Sequence, residues 1–165
     1  MYKRQHIFLA AGFGIQTLAP ALAMRFSRGQ LSWTKPVWKT PTAYGGYAIN
    51  LGEDALIGAT HDRLNDANPF ALRPEDDVKN LDALASISGK TVKPLSRSSR
   101  ASVRVTTADT LPLTVNLADN IWALTGLGSR GFTFAPLLAE ALISHLCSEV
   151  GPLDKQLRHK FSVTK

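Results

Sequence analysis

Gly126-Leu127-Gly128-Ser129-Arg130-Gly131 matches the G-x-G-x-x-G pattern of a turn between a strand and a helix. The turn follows the strand-like run Asn120–Thr125 and precedes an apolar stretch, from Phe132 to about Val150, that predicts a helix. Glycines allow a ligand to approach the backbone, and the start of a helix offers unpaired N–H groups and partial positive charge. The stretch therefore predicts a turn that faces a cofactor.

The turn lacks the remainder of a dinucleotide-binding unit. Such a unit needs a second parallel strand with an acidic residue about 20 positions further on. Only the polar and basic stretch 151–165 follows, with at most a short strand at Phe161–Val163. Glu149 has about the required spacing, but it lies at the end of the predicted helix. We therefore expect a turn that does not carry the pyrophosphate, and a plain tight turn remains an alternative.

The composition is that of an ordinary domain with excess positive charge. The 165 residues are 44% hydrophobic and the formal net charge is +6, which suits a nucleic acid or another anionic partner. A stretch without acidic residues contains five basic ones, Lys90, Lys93, Arg97, Arg100 and Arg104. This stretch could contact an anionic partner, and a solvated loop is the alternative interpretation. The single Cys147 excludes a disulfide within the chain, and four scattered histidines argue against a metal site.

The N-terminal segment admits two interpretations. Basic residues at positions 3 and 4, an apolar run over 7–15 and Ala21-Leu22-Ala23 imitate a secretory signal. Two glycines and a proline interrupt this pattern, however, and His6–Gly12 is typical of a buried parallel strand that ends in a glycine turn. No run approaches the roughly 20 apolar residues of a membrane span.

The order of predicted elements indicates an α/β protein with two domains. The middle of the chain predicts strands at 28–34 and 100–107, a hairpin around 51–54 and a helix from 74 to 89, and residues 17–26 predict a short helix. We expect residues 28–112 to form an antiparallel α+β substrate domain. Residues 1–27 and 113–165 would form part of a Rossmann-like domain, whose first strand and glycine turn we expect upstream.

Four separated segments together resemble the FAD-dependent D-amino-acid-oxidase-like (DAO) superfamily. They are Ile7–Gly14, Gly46–Ile49 with Leu56–Arg63, Ser102–Pro112, and Leu124–Gly131 with Ala135-Pro136-Leu137. The last two are similar to one branch, the C-terminal flavin modules of bifunctional enzymes that modify the wobble uridine of tRNA. The resemblance covers about Gln5 to Phe161.

The resemblance implies an FAD-dependent oxidoreductase that acts on a C–N bond. That branch oxidatively removes the carboxymethyl group of carboxymethylaminomethyl-(2-thio)uridine at the tRNA wobble position, as glyoxylate. Arg104 matches the arginine that holds the substrate carboxylate, and Tyr47 matches a tyrosine near the substrate. Gly12 would end the strand beneath the cofactor, and Gly126–Gly131 would face the flavin, with Arg130 adding charge there or contacting RNA. No side chain is expected as general base, because the flavin performs the difficult chemistry.

The resemblance also implies tRNA as the partner and the cytoplasm as the location. One alternative is an FAD-dependent glycine, sarcosine or D-amino-acid oxidase or dehydrogenase of the same superfamily. Another is a secreted or interaction domain without a cofactor. The sequence departs from the branch because the upstream glycine motif is absent and Leu113–Asn116 replaces a Val/Ile-Gly pair. We therefore expect the C-terminal fragment of a two-domain flavoprotein, inactive without the upstream half of the same gene product.

Overall fold

The computed structural model describes residues 5–65 and 68–162, which divide into two compact units. Unit 1 contains the residues up to Phe26 and those from Arg104 onward, and unit 2 contains Ser27–Val103. The sequence interpretation assigned 28–112 to the middle domain, so the two divisions differ mainly over residues 104–112. The two basic residues of the signal-like segment and the last residue expected in a C-terminal strand lie outside the described residues.

Short elements make up both units. The strands are β1 (Ile7–Leu9), β2 (Arg25–Thr34), β3 (Thr42–Ala43), β4 (Tyr47–Leu51), β5 (Asp54–Gly58), β6 (Asp62–Arg63), β7 (Arg100–Thr106), β8 (Leu113–Ala118) and β9 (Ile121–Thr125). The helices are α1 (Ile15–Leu18), α2 (Pro74–Ser88), α3 (Gly131–Leu146) and α4 (Lys155–Lys160), and 3-10 turns occupy Gly12–Gly14 and Gly128–Arg130.

Unit 1 is built on a three-stranded sheet with the order β1-β9-β8. Strands β1 and β9 are parallel, with Leu9 opposite Ala123, and β8 and β9 form an antiparallel hairpin. One buried cluster joins α3 to the C-terminal segment and a second lies around Ala123. The carboxyl ends of β1 and β9 therefore meet at one edge of the sheet, where open α/β sheets bind their ligands.

Three of the local sequence predictions for unit 1 are wrong. The strand expected over His6–Gly12 is parallel to β9 but not buried, because β1 is an edge strand with Ile7 and Phe8 48% and 45% exposed. The helix expected over 17–26 ends at Leu18, because Pro20 disfavours a helical conformation at the preceding residue, and Ala19 has φ −142°. The short strand expected from Phe161 does not begin there, because Phe161 is the C-terminal cap of α4. That helix forms because the Asp154 carboxylate accepts a hydrogen bond from the Leu157 N–H at 2.8 Å.

Unit 2 contains an antiparallel sheet covered by α2. Strands β3, β4, β5, β2 and β6 lie side by side in this order, and the β4–β5 hairpin confirms the predicted one. Helix α2 is also confirmed, with Pro74 in its first turn and Gly89 at φ +66° as its cap. Leu81 and Leu84 of α2 pack against Ala48 and Ile57 of the sheet.

The alternating pattern of β2 is reversed relative to an ordinary half-buried strand. Leu31 and Trp33 of this strand are only half-buried. The polar residues between them and beside them are each at most 2% exposed, namely Arg28, Gln30, Ser32 and Thr34. The Arg28 guanidinium pairs with the buried Asp76 carboxylate of α2 and donates to Gln30 Oε1 at 2.9 Å. It also donates to two carbonyl oxygens of the loop before α2, those of Pro69 and Ala71.

The neighbouring carboxylate of α2, that of Asp77, extends this polar core. Burial alone would raise the pKa of Asp77, but hydrogen bonds from Ser32, Ser99 and Gln30 outweigh it and hold the pKa below its usual value. Because the pKa is lower in the folded state, these bonds stabilise the fold at neutral pH. The contribution is lost as the pH falls through the folded-state pKa, below the usual range of an aspartate.

The buried ion pair generates a stability prediction. Arg28→Met should lower the free energy of unfolding by roughly 3–5 kcal/mol, because it leaves the Asp76 carboxylate buried without its main partner. The double variant Arg28→Met/Asp76→Leu should lose less than the sum of the two single variants. Urea denaturation measures these values.

The matched control is Lys35→Met, which removes a cation from an exposed pair with Asp54 at 2.9 Å. We expect a much smaller change there, since water screens exposed pairs. Equal losses for Arg28→Met and Lys35→Met would show that the buried pair does not hold α2 on the sheet.

Candidate functional site

The quoted stretch forms the predicted strand, turn and helix. Strand β9 ends at Thr125, and Gly126 and Gly128 adopt φ values of +73° and +56°. These values lie in the left-handed region that only glycine adopts without strain. The chain then passes through the 3-10 turn into α3, whose first residue is Gly131.

Packing inside unit 1 is sufficient to require glycine at both positions. A Cβ atom at Gly128 would lie 2.8 Å from Cγ2 of Thr106, and one at Gly126 would lie 3.2 Å from Cγ2 of Thr107. A β-bridge between Thr106 and Leu127 holds the two segments together. The turn is thus pressed against the end of β7, a contact that the sequence motif did not reveal.

Gly12 lies in the corresponding turn after β1. It has φ +53°, and no atom lies within 4 Å of the position where a Cβ would stand. Because β1 and β9 are parallel neighbours, Gly12 and Gly126 follow carboxyl ends at the same sheet edge. The two predicted cofactor-binding turns are therefore brought to one side of unit 1.

The surface of α3 beside the turn is apolar and open. Phe132 is fully exposed. A shallow cavity of about 660 Å³ lies beside it and is lined by Leu127, Gly128, Ser129, Gly131, Phe132, Ala135, Pro136 and Ala139. Within the described part of the chain no side chain caps the start of α3. An uncapped helix start beside an apolar surface suits a flat ring system with polar edge atoms. The helical spacing of the apolar residues at 132, 135, 136 and 139 was the available sequence signal.

Arg130 contacts the loop between β7 and β8. Its guanidinium donates to the Thr110 carbonyl oxygen at 2.5 Å and lies 5.4 Å from the centre of the Phe134 ring. The expectation was that Arg130 would face the flavin or RNA. That expectation stays a prediction, and the structure shows in addition that Arg130 holds the loop that follows Arg104.

The loop itself is ordered by a hydrogen-bonded turn. The Thr107 hydroxyl contacts both the Asp109 carboxylate, at 2.7 Å, and the Leu111 carbonyl oxygen, at 2.6 Å. The hydrogen bond from Thr107, with one from the Leu111 N–H, holds the pKa of Asp109 below its usual value. The loop is therefore fixed at neutral pH from its own side and from the Arg130 side.

Arg104 and Tyr47, the predicted substrate residues, belong to different units. Tyr47 is the first residue of β4 and belongs to unit 2. Arg104 lies in β7 and is the first residue of the second segment of unit 1. Both side chains are half-buried. Side chains two apart on a strand share a face, about 7 Å from each other. Arg104 therefore shares the face of β7 from which Thr106 contacts the glycine turn.

A comparison with known protein families shows the family to which this chain belongs. Residues 2–145 match the family model described as FAD dependent oxidoreductase, DAO. The chain belongs to the DAO family. The DAO resemblance of the four sequence segments is thereby confirmed.

Two relatives are similar over nearly the whole chain. The tRNA 5-methylaminomethyl-2-thiouridine biosynthesis bifunctional protein MnmC of Caulobacter vibrioides is 42% identical over 99% of this DAO chain, and its namesake from Caulobacter sp. is 43% identical over 92%. The chain spans only 28% and 26% of the length of these relatives.

Solved structures share the fold at low sequence identity. Glycine oxidase from Geobacillus kaustophilus has a TM-score of 0.76 at 18% identity, over 99% of this chain and 46% of that one. Iminodiacetate oxidase from Chelativorans sp. has a TM-score of 0.75 at 14% identity, and the match covers 97% of this chain and 46% of that one. The predicted DAO fold class is confirmed. No helix in residues 5–65 and 68–162 has the length and hydrophobicity to cross a membrane.

The contact between Thr106 and the turn generates the second prediction. Gly128→Ala should destabilise unit 1 by about 1–3 kcal/mol, because its Cβ overlaps Cγ2 of Thr106 and the positive φ is strained. Thr106→Ser removes that methyl group, so Gly128→Ala/Thr106→Ser should recover part of the lost stability. Thermal denaturation and flavin content measure the two effects.

Gly12→Ala is the control, since it carries the cost of a positive φ without any overlap. If Thr106→Ser recovers nothing, the glycine at 128 is not required by this packing contact. Loss of flavin in the double variant with restored stability would assign Gly128 to the cofactor instead.

Proposed function

We propose that this DAO chain is part of an FAD-dependent oxidoreductase that removes the carboxymethyl group from carboxymethylaminomethyl-(2-thio)uridine at the tRNA wobble position. The supporting geometry is the position of Arg104, on the face of β7 that packs against the glycine turn. A carboxylate-binding cation and the surface suited to a flavin are thus about one strand repeat apart. The similarity to the two MnmC proteins supports tRNA as the substrate, and the cytoplasm as its location.

The residues of unit 1 fit the flavin end of FAD. Leu127, Phe132 and Pro136 offer an apolar surface, and the uncapped start of α3 offers N–H groups and partial positive charge beside it. When bound, the flavin accepts the hydride from the carbon of the substrate C–N bond. The helix start would stabilise negative charge on a ring edge without rearrangement, because its N–H groups are already fixed. Unit 1 would then be part of the FAD-binding domain and unit 2 the substrate domain.

Arg104 would orient the substrate. A guanidinium group binds a carboxylate with two parallel hydrogen bonds, which fixes both the position and the direction of the acid. Holding the carboxymethyl group in this way keeps its carbon in one place relative to the turn. The contacts of Thr106 and Arg130 would keep β7 and its loop in register with that turn. Tyr47 remains a predicted neighbour of the substrate.

The third prediction concerns Arg104. In flavin-loaded protein that also contains the expected upstream half, Arg104→Ala should reduce kcat/KM for tRNA carrying the carboxymethylaminomethyl group by roughly 2–4 kcal/mol of transition-state stabilisation, with KM raised. Flavin content should not change. Arg104→Lys, which keeps the charge and loses the planar fork, should recover only part of the loss.

Glyoxylate release measures the reaction. Binding of tRNA that carries only the aminomethyl group is the control, and it should be equal in wild type and variant because that product lacks the carboxylate. Unchanged kcat and KM in Arg104→Ala would remove Arg104 from the substrate site. Wild-type oxidation of free glycine or sarcosine in place of tRNA would favour the amino-acid oxidase alternative.

A further inference from the structure

Helix α4 presents concentrated positive charge. Its six residues include Lys155, Arg158 and Lys160, together with His159, and no acidic residue. Both lysines and His159 are exposed, and Arg158 is partly exposed. Positions 155, 158 and 159 share one helix face by their spacing, and Lys160 lies about 140° around the helix axis from Lys155.

This short helix is firmly attached to unit 1. Leu153 before it and Phe161 after it are buried in the cluster with Leu138 and Ala141 of α3. The Phe161 ring lies 5.7 Å from that of Phe134, and the Phe161 carbonyl oxygen accepts a hydrogen bond from the Thr114 N–H at 2.9 Å. The cations are therefore held at a defined place on the sheet and helix that carry the glycine turn.

The charge of α4 is not neutralised by nearby groups in the described ranges. The structure shows no ion pair or hydrogen bond for the side chains of Lys155, Arg158 and Lys160 within residues 5–65 and 68–162. The carboxylate nearest in sequence, that of Asp154, accepts a hydrogen bond from the Leu157 N–H as the helix cap, and with its charge included residues 154–160 carry a net charge of +2. Three cations on a fixed support form a surface that attracts an anion with several charges.

The basic segment 90–100 in unit 2 differs in this respect. The Arg97 guanidinium pairs with Asp54 at 2.9 Å and lies 4.2 Å from the centre of the Trp33 ring, and Lys90 donates to the Val37 carbonyl oxygen at 3.0 Å. Two of the basic residues in the acid-free stretch, Lys90 and Arg97, thus have contacts inside the chain. Lys93 and Arg100 are exposed.

We propose that α4 binds the phosphate backbone of the RNA substrate through Lys155, Arg158 and Lys160. The proposal rests on the proposed function, because a tRNA substrate supplies the polyanion. Exposed lysines on a rigid helix contact phosphates without reading sequence, so α4 contributes affinity and leaves the choice of nucleoside to the flavin site. Binding at α4 would hold the tRNA on the unit that carries the glycine turn.

The test compares two triple variants of the flavin-loaded protein. The α4 variant is Lys155→Gln/Arg158→Gln/Lys160→Gln, and the matched control is Lys90→Gln/Lys93→Gln/Arg100→Gln, which removes the same charge and keeps the Arg97 pair. The affinity for unmodified tRNA is measured over a series of KCl concentrations. The α4 variant should bind more weakly, and its slope of log K against log salt should be shallower by about 0.7–0.9 for each lost contact.

The kinetic readout separates this role from a structural one. KM for tRNA should rise in the α4 variant, with kcat, flavin content and melting temperature unchanged. If the triple variant melts early, the exposed-site double variant Lys155→Gln/Lys160→Gln replaces it, with an expected slope change of about two contacts at most.

The contrary outcomes are distinct. An unchanged salt slope in the α4 variant overturns the proposal, and a larger change in the control moves the RNA surface to the segment 90–100. Loss of binding to anionic vesicles with unaltered tRNA affinity would assign α4 to a membrane surface and also overturn it. Wild-type protein that binds RNA through α4 but oxidises no tRNA would contradict the proposed function and leave the α4 surface intact.

Discussion

The methyl group of Thr106 lies only 2.8 Å from the position that a Cβ atom at Gly128 would take, and this close contact joins the two segments from which the candidate site is built. Strand β7 carries Arg104, and the glycine turn leads into α3. The β-bridge between Thr106 and Leu127 holds these two segments side by side. Arg130 adds a second connection by donating to the Thr110 carbonyl oxygen. The glycine pattern thus has a packing function in addition to the cofactor function proposed for it.

Unit 2 depends on a different interaction. A buried arginine–aspartate pair, surrounded by amide and hydroxyl groups, joins the sheet to α2 where apolar contacts alone would be usual. Such a core is stable only when every buried polar group has a partner, because each orphaned group costs its full desolvation energy.

The sequence predicted those features that depend on local chemistry. Proline and three acids at the start of α2, the β4–β5 hairpin and the strand before the glycine turn were all recognised from neighbouring residues. The two-residue period of β2 was also visible. Which face of β2 is buried could not be read from it, because the partners of the Arg28 guanidinium other than Gln30 lie 41 to 48 residues away. A long-range ion pair leaves no local pattern.

In the candidate site, too, the sequence indicated the local motifs but not the contacts between distant segments. Glycine turns and the arginine of β7 were identified from motifs, whereas the contacts of Thr106, Thr107 and Thr110 depend on the fold. Helix α4 was missed because its cap, Asp154, precedes a stretch that is mostly polar and has little apolar periodicity. Its two anchors, Leu153 and Phe161, lie outside the helix itself, so the pattern within the helix did not indicate packing.

Anaerobic reduction of the bound flavin tests the central claim most directly. Flavin-loaded protein is mixed with tRNA that carries the carboxymethylaminomethyl group, with tRNA that lacks it, or with free glycine or sarcosine, and the oxidised-flavin absorbance is followed. For the chain joined to the upstream half that the sequence analysis expects, the account predicts rapid bleaching with the modified tRNA alone, and one equivalent of glyoxylate for each flavin reduced. Bleaching by glycine or sarcosine without bleaching by the modified tRNA would contradict it, as would failure of the chain joined to its upstream half to bind flavin.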